Sequence, residues 1–348
     1  MRVHFFQPPP AQRAGGLDAA IRSLRGALEQ VGIPVDDEFP DDDGGQHVVH
    51  FHGLWQPAHA RVARACAARK IPFVVSPHGM LEPWAWRHKW WKKWPYFQMV
   101  EARYLRAANV ILATCDAEAR RIREKLPGSV VEVVPLGLTS DARPNHDAAR
   151  AALGWASGER VLLFLSRLHE KKGLDLLLRA LVETRWSAQT RLVIVGGGEP
   201  RYVKKLQSLA ESGKSRLPRI EWTGEIWGEK RWPYFQGADL FCLPSHSENF
   251  GLAVLEACQV GTPALTTRAT PWGEWLADGR GYVCDATVDS IQESLARFLS
   301  EPIAAAGQRE KLAEWTRAEF SWGTLAPRYA EVYRAAIQIG RASCRERV

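Results

Sequence analysis

Two glutamates eight positions apart, Glu248 and Glu256, lie in the stretch PSHSENFGLAVLEACQVGTPALTT that covers residues 244–267. An apolar run at 239–243 stops at Pro244, as a buried strand does on reaching its C-terminal end. The polar loop 245–249 follows, and a helical pattern begins at Phe250 and Gly251 and is stopped by Gly261 and Pro263. Glu248 therefore falls in a strand-to-helix loop, and Glu256 about one and a half turns into the helix. In an open parallel sheet, ligands bind in the crevice at the C-terminal ends of the strands. The turn Asn249-Phe250-Gly251-Leu252 offers backbone N–H groups and the positive end of a helix dipole, which suits a diphosphate. Glu256, one turn further along, can accept hydrogen bonds from the ribose hydroxyls of the same nucleotide.

A second set of charges complements the first. Residues 160–165 read as a buried strand that delivers SRLHEKKG, Ser166 to Gly173. Arg167 and Lys172 at that strand end are placed to neutralise a diphosphate whose charge grows as a sugar departs. Gly197, after the apolar run 191–195, permits close approach of backbone to a ligand, as does the pair Gly15 and Gly16 between the first strand and first helix. That pair reads equally well as turn punctuation. Its spacing is not G-x-G-x-x-G, which counts against a dehydrogenase.

The elements that must position these residues alternate strand and helix. Strands are expected at 2–6, 47–52, 71–76, 108–113 and 130–135, with helices at 17–31, 58–69 and 116–126, the last with Asp116 as N-cap. The acidic, glycine-rich segment 36–45 reads as a surface loop. A linker with a short helix at 148–153 follows, and the rhythm restarts at 160 with strands at 191–195, 219–223, 239–243 and 263–267. Helices are expected at 174–182, 291–299 and 315–337. The fold class is α/β, built as two Rossmann-like parallel-sheet domains at 1–138 and 139–319. Residues 339–348 show no pattern and read as a disordered tail.

Composition sets the outer bounds. A chain of 348 residues accommodates two domains, and 46% apolar with 24% charged residues is ordinary for a globular protein. No run approaches transmembrane length, and the N-terminus lacks the apolar core of a signal peptide. Six scattered cysteines with no C-x-x-C fit free thiols in a reducing cytoplasm better than disulfides or zinc. The net charge of +7 permits an anionic partner, and no nucleic-acid motif accompanies it.

The patterns P-S-x-x-E-x-F-G-L-x-x-L-E-A and S-R-L-x-x-K-K-G-L-D resemble the retaining GT-B glycosyltransferases of glycosyltransferase family 4. The resemblance reaches to about residue 337 and is strongest from 161 to 281. It implies the GT-B architecture, with two domains facing each other across a cleft: an acceptor-side N-terminal domain and a donor-side C-terminal one. A terminal helix at about 320–338 would cross back onto the first domain. The implied reaction moves a sugar from a nucleoside-diphosphate sugar to an acceptor hydroxyl with retention, the glycan or lipid-linked acceptor belonging to cell-surface polysaccharide or lipopolysaccharide assembly.

The resemblance also distributes roles. Arg167 and Lys172 would hold the phosphates, Gly15 and Gly16 would face the phosphate or the acceptor, and Ile226 would line the nucleobase pocket through its backbone. His78, at the end of the strand 71–76, would face the donor sugar, with His52 at the end of the neighbouring strand as the alternative. Trp222 and Trp227 fit either base stacking or a core. No Asp-x-Asp motif appears, so no metal and no further cofactor is expected, and the absence of a carboxylate pair around a nucleophile favours front-face transfer. Two readings from other classes stay open at this level: a nucleotide-sugar epimerase, and a non-catalytic protein that binds nucleotide-sugar or membrane.

Fifteen tryptophans are unusually many. On one helix, Trp84, Trp86, Trp90, Trp91 and Trp94 would face away from His88, Lys89, Lys92 and Lys93. That division fits a helix lying on an anionic membrane surface, hence a cytoplasmic protein peripheral on the inner face of the membrane. A tryptophan stripe packed into a core fits equally.

Overall fold

The computed structural model describes residues 1–7, 15–41, 44–87, 90–138, 140–187, 189–302 and 304–345. They form two compact units, one of residues 1–139 with 319–348 and the other of residues 140–318.

The first unit holds a six-stranded, wholly parallel sheet in the order β2-β1-β3-β4-β5-β6. Its strands are β1 (Arg2–Phe6), β2 (Val35–Asp36), β3 (His47–His52), β4 (Phe73–Ser76), β5 (Val110–Ala113) and β6 (Val131–Val133). Successive side chains point to opposite faces, and both faces are apolar, as a parallel sheet covered on both sides requires. Val3, Phe5, Val48, Val74, Val110 and Leu112 pack in one cluster with Ile21, Leu24 and Leu28 and with Tyr329 and Tyr333. Val49, Phe51, Val75, Ile111 and Ala113 pack in the other with Ala63, Cys66, Leu105 and Ile122. Asp36, expected in a surface loop, is in β2, because the Val3 amide bonds Pro34 and Val35 is buried.

The helix Trp322–Arg345 belongs to this unit. A Cβ on Gly137 would lie 2.6 Å from the Trp322 ring, and the Tyr329 hydroxyl donates to the Pro135 carbonyl at 3.3 Å. The segment expected as one helix from 315 is two, Ala306–Phe320 and Trp322–Arg345, divided at Ser321. The second of these enters the segment 339–348, expected as a disordered tail. The helix runs on through Gly340, which packs beside Asn109 and Pro72, as far as Arg345, and only 346–348 lie outside the described residues.

The second unit repeats the plan with β7 (Arg160–Leu165), β8 (Thr190–Val195), β9 (Arg219–Gly224), β10 (Leu240–Leu243), β11 (Ala264–Thr267) and β12 (Tyr282–Cys284). The order is β12-β11-β10-β7-β8-β9, again all parallel. From β7 the chain moves outward through β8 and β9, then returns to place β10 on the other flank of β7. That reversal makes a topological switch point between the C-terminal ends of β7 and β10. Behind it, buried Asp239 accepts from the Val161 amide at 2.8 Å and pairs with Arg150 at 3.0 Å and Arg309 at 3.3 Å. This ties two helices to the entry of β10.

In the tryptophan segment Pro83–Arg87 and Trp90–Tyr96 are helical, and His88 and Lys89, on which part of the expected polar face falls, lie outside the described residues. A π-helical turn, Phe97–Glu101, follows. Trp86 packs edge-on against Phe97 and beside Trp55 in the core, whereas Trp90, Trp91 and Trp94 are 60%, 60% and 53% exposed. Lys93 lies over the Trp55 ring rather than on a separate polar face. Five cysteines, 66, 115, 242, 258 and 284, are buried free thiols.

Candidate functional site

In the second unit, β7 and β10 bring the two sequence motifs to one place. Arg167, exposed just past β7, has no ion-pair partner among the described residues. The chain then makes the 3-10 turn Glu170–Lys172, with His169 Nδ1 accepting from the Lys171 amide. Gly173 closes the turn at φ 69°, and a Cβ there would sit 2.2 Å from the Pro244 carbonyl oxygen at the exit of β10. Only glycine satisfies both the left-handed backbone and that approach. The His246 amide adds a bond to the Lys171 carbonyl at 2.9 Å.

These backbone contacts deliver a side-chain pair. Lys172 Nζ donates to Glu248 Oε1 at 2.6 Å, and the Ser245 hydroxyl donates to the same oxygen at 2.6 Å. Burial alone would raise the pKa of Glu248. The Lys172 ammonium, the Ser245 hydroxyl and the nearby Lys171 outweigh it and hold the carboxyl below its ordinary value. Glu248 is therefore an anion fixed beside a cation at the switch point.

The following helix begins at Leu252, with Gly251 as N-cap at φ 83°, rather than at Phe250. Phe250 is buried against Trp272 and Trp275, and its carbonyl accepts from Trp272 Nε1 at 2.7 Å. No side chain among the described residues caps this helix N-terminus. Its first amides can therefore meet an anion. Ser247 Oγ and Asn249 Oδ1 are buried without a hydrogen-bond partner among the described residues. Glu256, the fifth helical residue, receives the guanidinium of Arg231. Gly197 pairs through its carbonyl with the Leu168 amide at 2.7 Å and lies under Glu225, whose Oε1 would be 2.4 Å from a Cβ. Ile226 follows half-buried, Trp222 is half-buried on β9, and Trp227 is 65% exposed.

The other predicted site residues belong to the first unit. Gly15 and Gly16 are the first residues of the helix Gly15–Gln30. His78, past the end of β4, is held at φ 51° and followed by Gly79 at φ 69°. A left-handed non-glycine residue is uncommon and costs on the order of 1 kcal/mol or more. Glu118 helps hold the turn, accepting from the Gly79 amide at 2.6 Å and from Thr114. Its helix, Asp116–Lys125, is capped by Cys115, whose Sγ accepts from the Glu118 amide at 3.4 Å, so the expected N-cap Asp116 is instead the first helical residue.

His78 Nε2 meets His52 Nδ1 at 3.1 Å, with the rings stacked at 13°. The two histidines weighed as alternatives are therefore neighbours. Burial pushes the His78 imidazole down to about 4, so it is neutral at neutral pH, and its Nδ1 has no partner among the described residues. His50 extends the cluster, bonding the Tyr333 hydroxyl at 2.9 Å and Ser76 Oγ at 2.7 Å. Sequence reasoning missed His50, Ser245 and Arg231. The i, i+2 spacing of His50 and His52 on one strand was a usable signal for the first of these. Nothing local marked the others.

An α/β protein whose second sheet carries a cation–carboxylate pair and an uncapped helix N-terminus at its switch point has the build of a nucleotide-binding protein. The particular family follows from comparison, for the chain belongs to the family 4, or group 1, glycosyltransferases. Residues 145–319 match the family described as "Glycosyl transferases group 1" and residues 3–141 that described as "Glycosyltransferase Family 4". The chain is 31% identical over 285 residues to a GDP-mannose-dependent alpha-(1-6)-phosphatidylinositol monomannoside mannosyltransferase of Mycolicibacterium smegmatis, covering 78% of this chain and 72% of that one. It is 31% identical over 261 residues to a D-inositol 3-phosphate glycosyltransferase of Kineococcus radiotolerans, covering 68% and 60%. Sucrose-phosphate synthase from Thermosynechococcus elongatus shares the fold with a TM-score of 0.77 and 19% identity, over 96% of this chain and 98% of that one. The two six-stranded parallel sheets are thus a GT-B-like fold, and the protein is a glycosyltransferase that uses a nucleotide-sugar. No helix among the described residues is long and apolar enough to cross a membrane.

Proposed function

We propose that this glycosyltransferase moves a hexosyl group, with retention and without a metal ion, to a hydroxyl of a glycan or lipid-linked acceptor in cell-surface polysaccharide or lipopolysaccharide assembly. The observation that carries the reading is the Lys172–Glu248 pair at the switch point of the second sheet. Arg167, Lys172 and the amides of Leu252 and Ala253 take the diphosphate, where their positive charge stabilises the leaving group as its bond to the sugar breaks. Glu256 takes the ribose hydroxyls, and the backbone at Ile226 and Gly197 borders the base and the phosphates. Glu248 stays anionic and orients the sugar, and His78, neutral and with a free ring nitrogen, binds a sugar hydroxyl. The leaving phosphate oxygen accepts the acceptor's proton as the new bond forms on the same face.

The exposed tryptophans Trp90, Trp91 and Trp94, with Met99 64% exposed and Lys92 beside Trp91, support peripheral attachment to an anionic bilayer that presents a lipid-linked acceptor. The functional test is product analysis. Nucleotide-sugars are first screened by thermal shift, since a ligand at 100 times its Kd stabilises by about 2.7 kcal/mol. The preferred donor is then turned over with and without EDTA, and the anomeric configuration of the product is read by proton NMR. Retained configuration and EDTA-insensitive turnover are expected. An inverted product, or loss of activity restored by added divalent metal, overturns the reading.

A further inference from the structure

Asp239, Pro263 and Gly281 immediately precede β10, β11 and β12, so they mark the N-terminal edge of the second sheet. The strands are parallel, and this edge is therefore the one opposite the switch point. The four residues of β10 span about 13 Å between the two edges. A cavity of about 700 Å³ opens at the N-terminal edge, a volume suited to a small molecule. Asp239 and Arg309 line it, together with Arg280, Arg297, Lys311 and Trp315.

The charge around this cavity is not balanced. Asp239 is one buried carboxylate serving two buried guanidiniums, Arg150 at 3.0 Å and Arg309 at 3.3 Å. Backbone carbonyls take further hydrogen bonds, Ala156 from Arg150 and Ala238 from Arg309, but they carry no net charge. Arg309 Nε is buried with no hydrogen-bond partner among the described residues. A surplus cation in the interior is costly until an anion meets it. On the wall, Asp278 answers Arg280 and Glu301 answers Arg297. Lys311 is exposed and has no ion-pair partner among the described residues. Lys311 and one buried guanidinium are thus left without a carboxylate of their own. The helix Ala306–Phe320 also begins at the cavity, where Gln308 lines it, and so turns its positive end that way. The opposing carbonyls at the end of the helix Val288–Ser300 are taken by Arg160, which donates to Phe298 at 2.8 Å and to Glu301 at 2.5 Å.

We propose that this cavity binds a small phosphorylated molecule, its phosphate against Lys311, Arg280 and Arg297 and its organic part against Trp315, at a site separate from that of the donor. A phosphate dianion supplies the charge that Lys311 and the buried guanidinium leave unanswered, and its oxygens accept several charge-assisted hydrogen bonds at once. The Trp315 ring, with the Arg280 guanidinium 4.6 Å from its centre, gives the rest of the molecule an apolar surface.

The test is calorimetric binding of inorganic phosphate and of ribose 5-phosphate to the full chain, with the donor site first saturated by uridine or guanosine diphosphate, whichever binds more tightly. Both probes are expected to bind, ribose 5-phosphate the more tightly because it also reaches Trp315. Lys311→Glu with Arg280→Glu is expected to weaken both by about 10-fold or more, the scale of losing hydrogen bonds to a charged group, and to leave the Kd of the nucleoside diphosphate unchanged. Lys311→Glu alone, at an exposed position, is expected to show a smaller loss and keeps the test valid if the double variant does not fold, which thermal melting reports. Hydrogen exchange in the presence of ribose 5-phosphate should show protection at 261–263, 279–282 and 304–312. Loss of probe binding once the donor site is saturated, wild-type binding by the variants, or protection at 166–173 and 245–252 instead overturns the inference. Equal affinity for the two probes overturns the assignment to an organic phosphate.

Discussion

Lys172 and Glu248, 76 residues apart in the chain, are joined at 2.6 Å across the gap between β7 and β10. One residue closes a turn after the first strand of the sheet, and the other sits in the loop after the fourth. Their contact is what converts two loops into one charged site. Ser245 shares the carboxylate oxygen, so Glu248 has its burial compensated before any ligand arrives.

Removing the cation should expose the two roles of this pair. Lys172→Ala is expected to lower turnover by about 10²-fold, the scale of losing a transition-state charge contact. It should also destabilise the fold, because a buried carboxylate is left without its cation. Adding Glu248→Gln removes that stranded charge, so the double variant should melt closer to wild type while remaining inactive. Wild-type turnover in Lys172→Ala would sink the assignment.

Gly173 should be intolerant of a side chain for a reason that differs from most left-handed glycines. Gly173→Ala sets a methyl against the Pro244 carbonyl, where backbone must move. Gly154→Ala provides the control, since Gly154 is also left-handed at φ 66° but meets nothing within 4 Å. The control should lose about 1 kcal/mol in urea denaturation, and Gly173→Ala about 1–3 kcal/mol more, with reduced turnover. Equal losses would show that the close approach contributes nothing.

Glu101 predicts a pH-dependent stability. Burial raises its carboxyl from 4.5 to about 7, against the bond it accepts from the Trp55 amide, and Oε2 is buried with no partner among the described residues. A pKa raised in the folded state means stability that is full below 4.5 and is lost as the pH rises through 7. Glu101→Gln keeps an oxygen for the Trp55 amide and cannot ionise. It should match wild type near pH 5 and exceed it at pH 8 by up to about 3 kcal/mol, the equivalent of two and a half pKa units. A stability difference that is the same at both pH values would refute the assignment.

The exposed tryptophans can be tested without touching the core. Trp90→Ser with Trp91→Ser alters two side chains that are each 60% exposed and should barely change the melting temperature. Co-sedimentation with anionic phospholipid vesicles should fall by about 10-fold, and wild-type binding should weaken in high salt because exposed charges are screened. Transfer to a water-soluble acceptor should persist. Equal sedimentation of wild type and double variant would remove the membrane from the reading.

Much of the framework was legible locally. The segments 160–165 and 47–52 became β7 and β3 with the same bounds, the first because a strand covered on both faces is largely apolar, the second because Val48, Val49 and Phe51 bury both of its faces. Arg167, Lys172, Glu248 and Glu256 were legible because each follows a strand end, and parallel strands bring all such ends to one edge of the sheet.

What the sequence left undecided depended on partners remote along the chain. His50 is buried among polar groups only because Tyr333, 283 residues later, returns to meet it. Arg231 is one arginine among many until the turn after β9 and the helix after β10 set it against Glu256. The tryptophans of residues 84–94 differ in burial for the same reason. Helical spacing treated Trp86 and Trp90 alike, but Trp55 and Phe97 give Trp86 a surface to bury against, and no core cluster takes in Trp90. Periodicity states which side chains share a face. Only the packing of distant elements decides which faces are covered, since burial is a property of the neighbours a residue acquires and not of the residue itself.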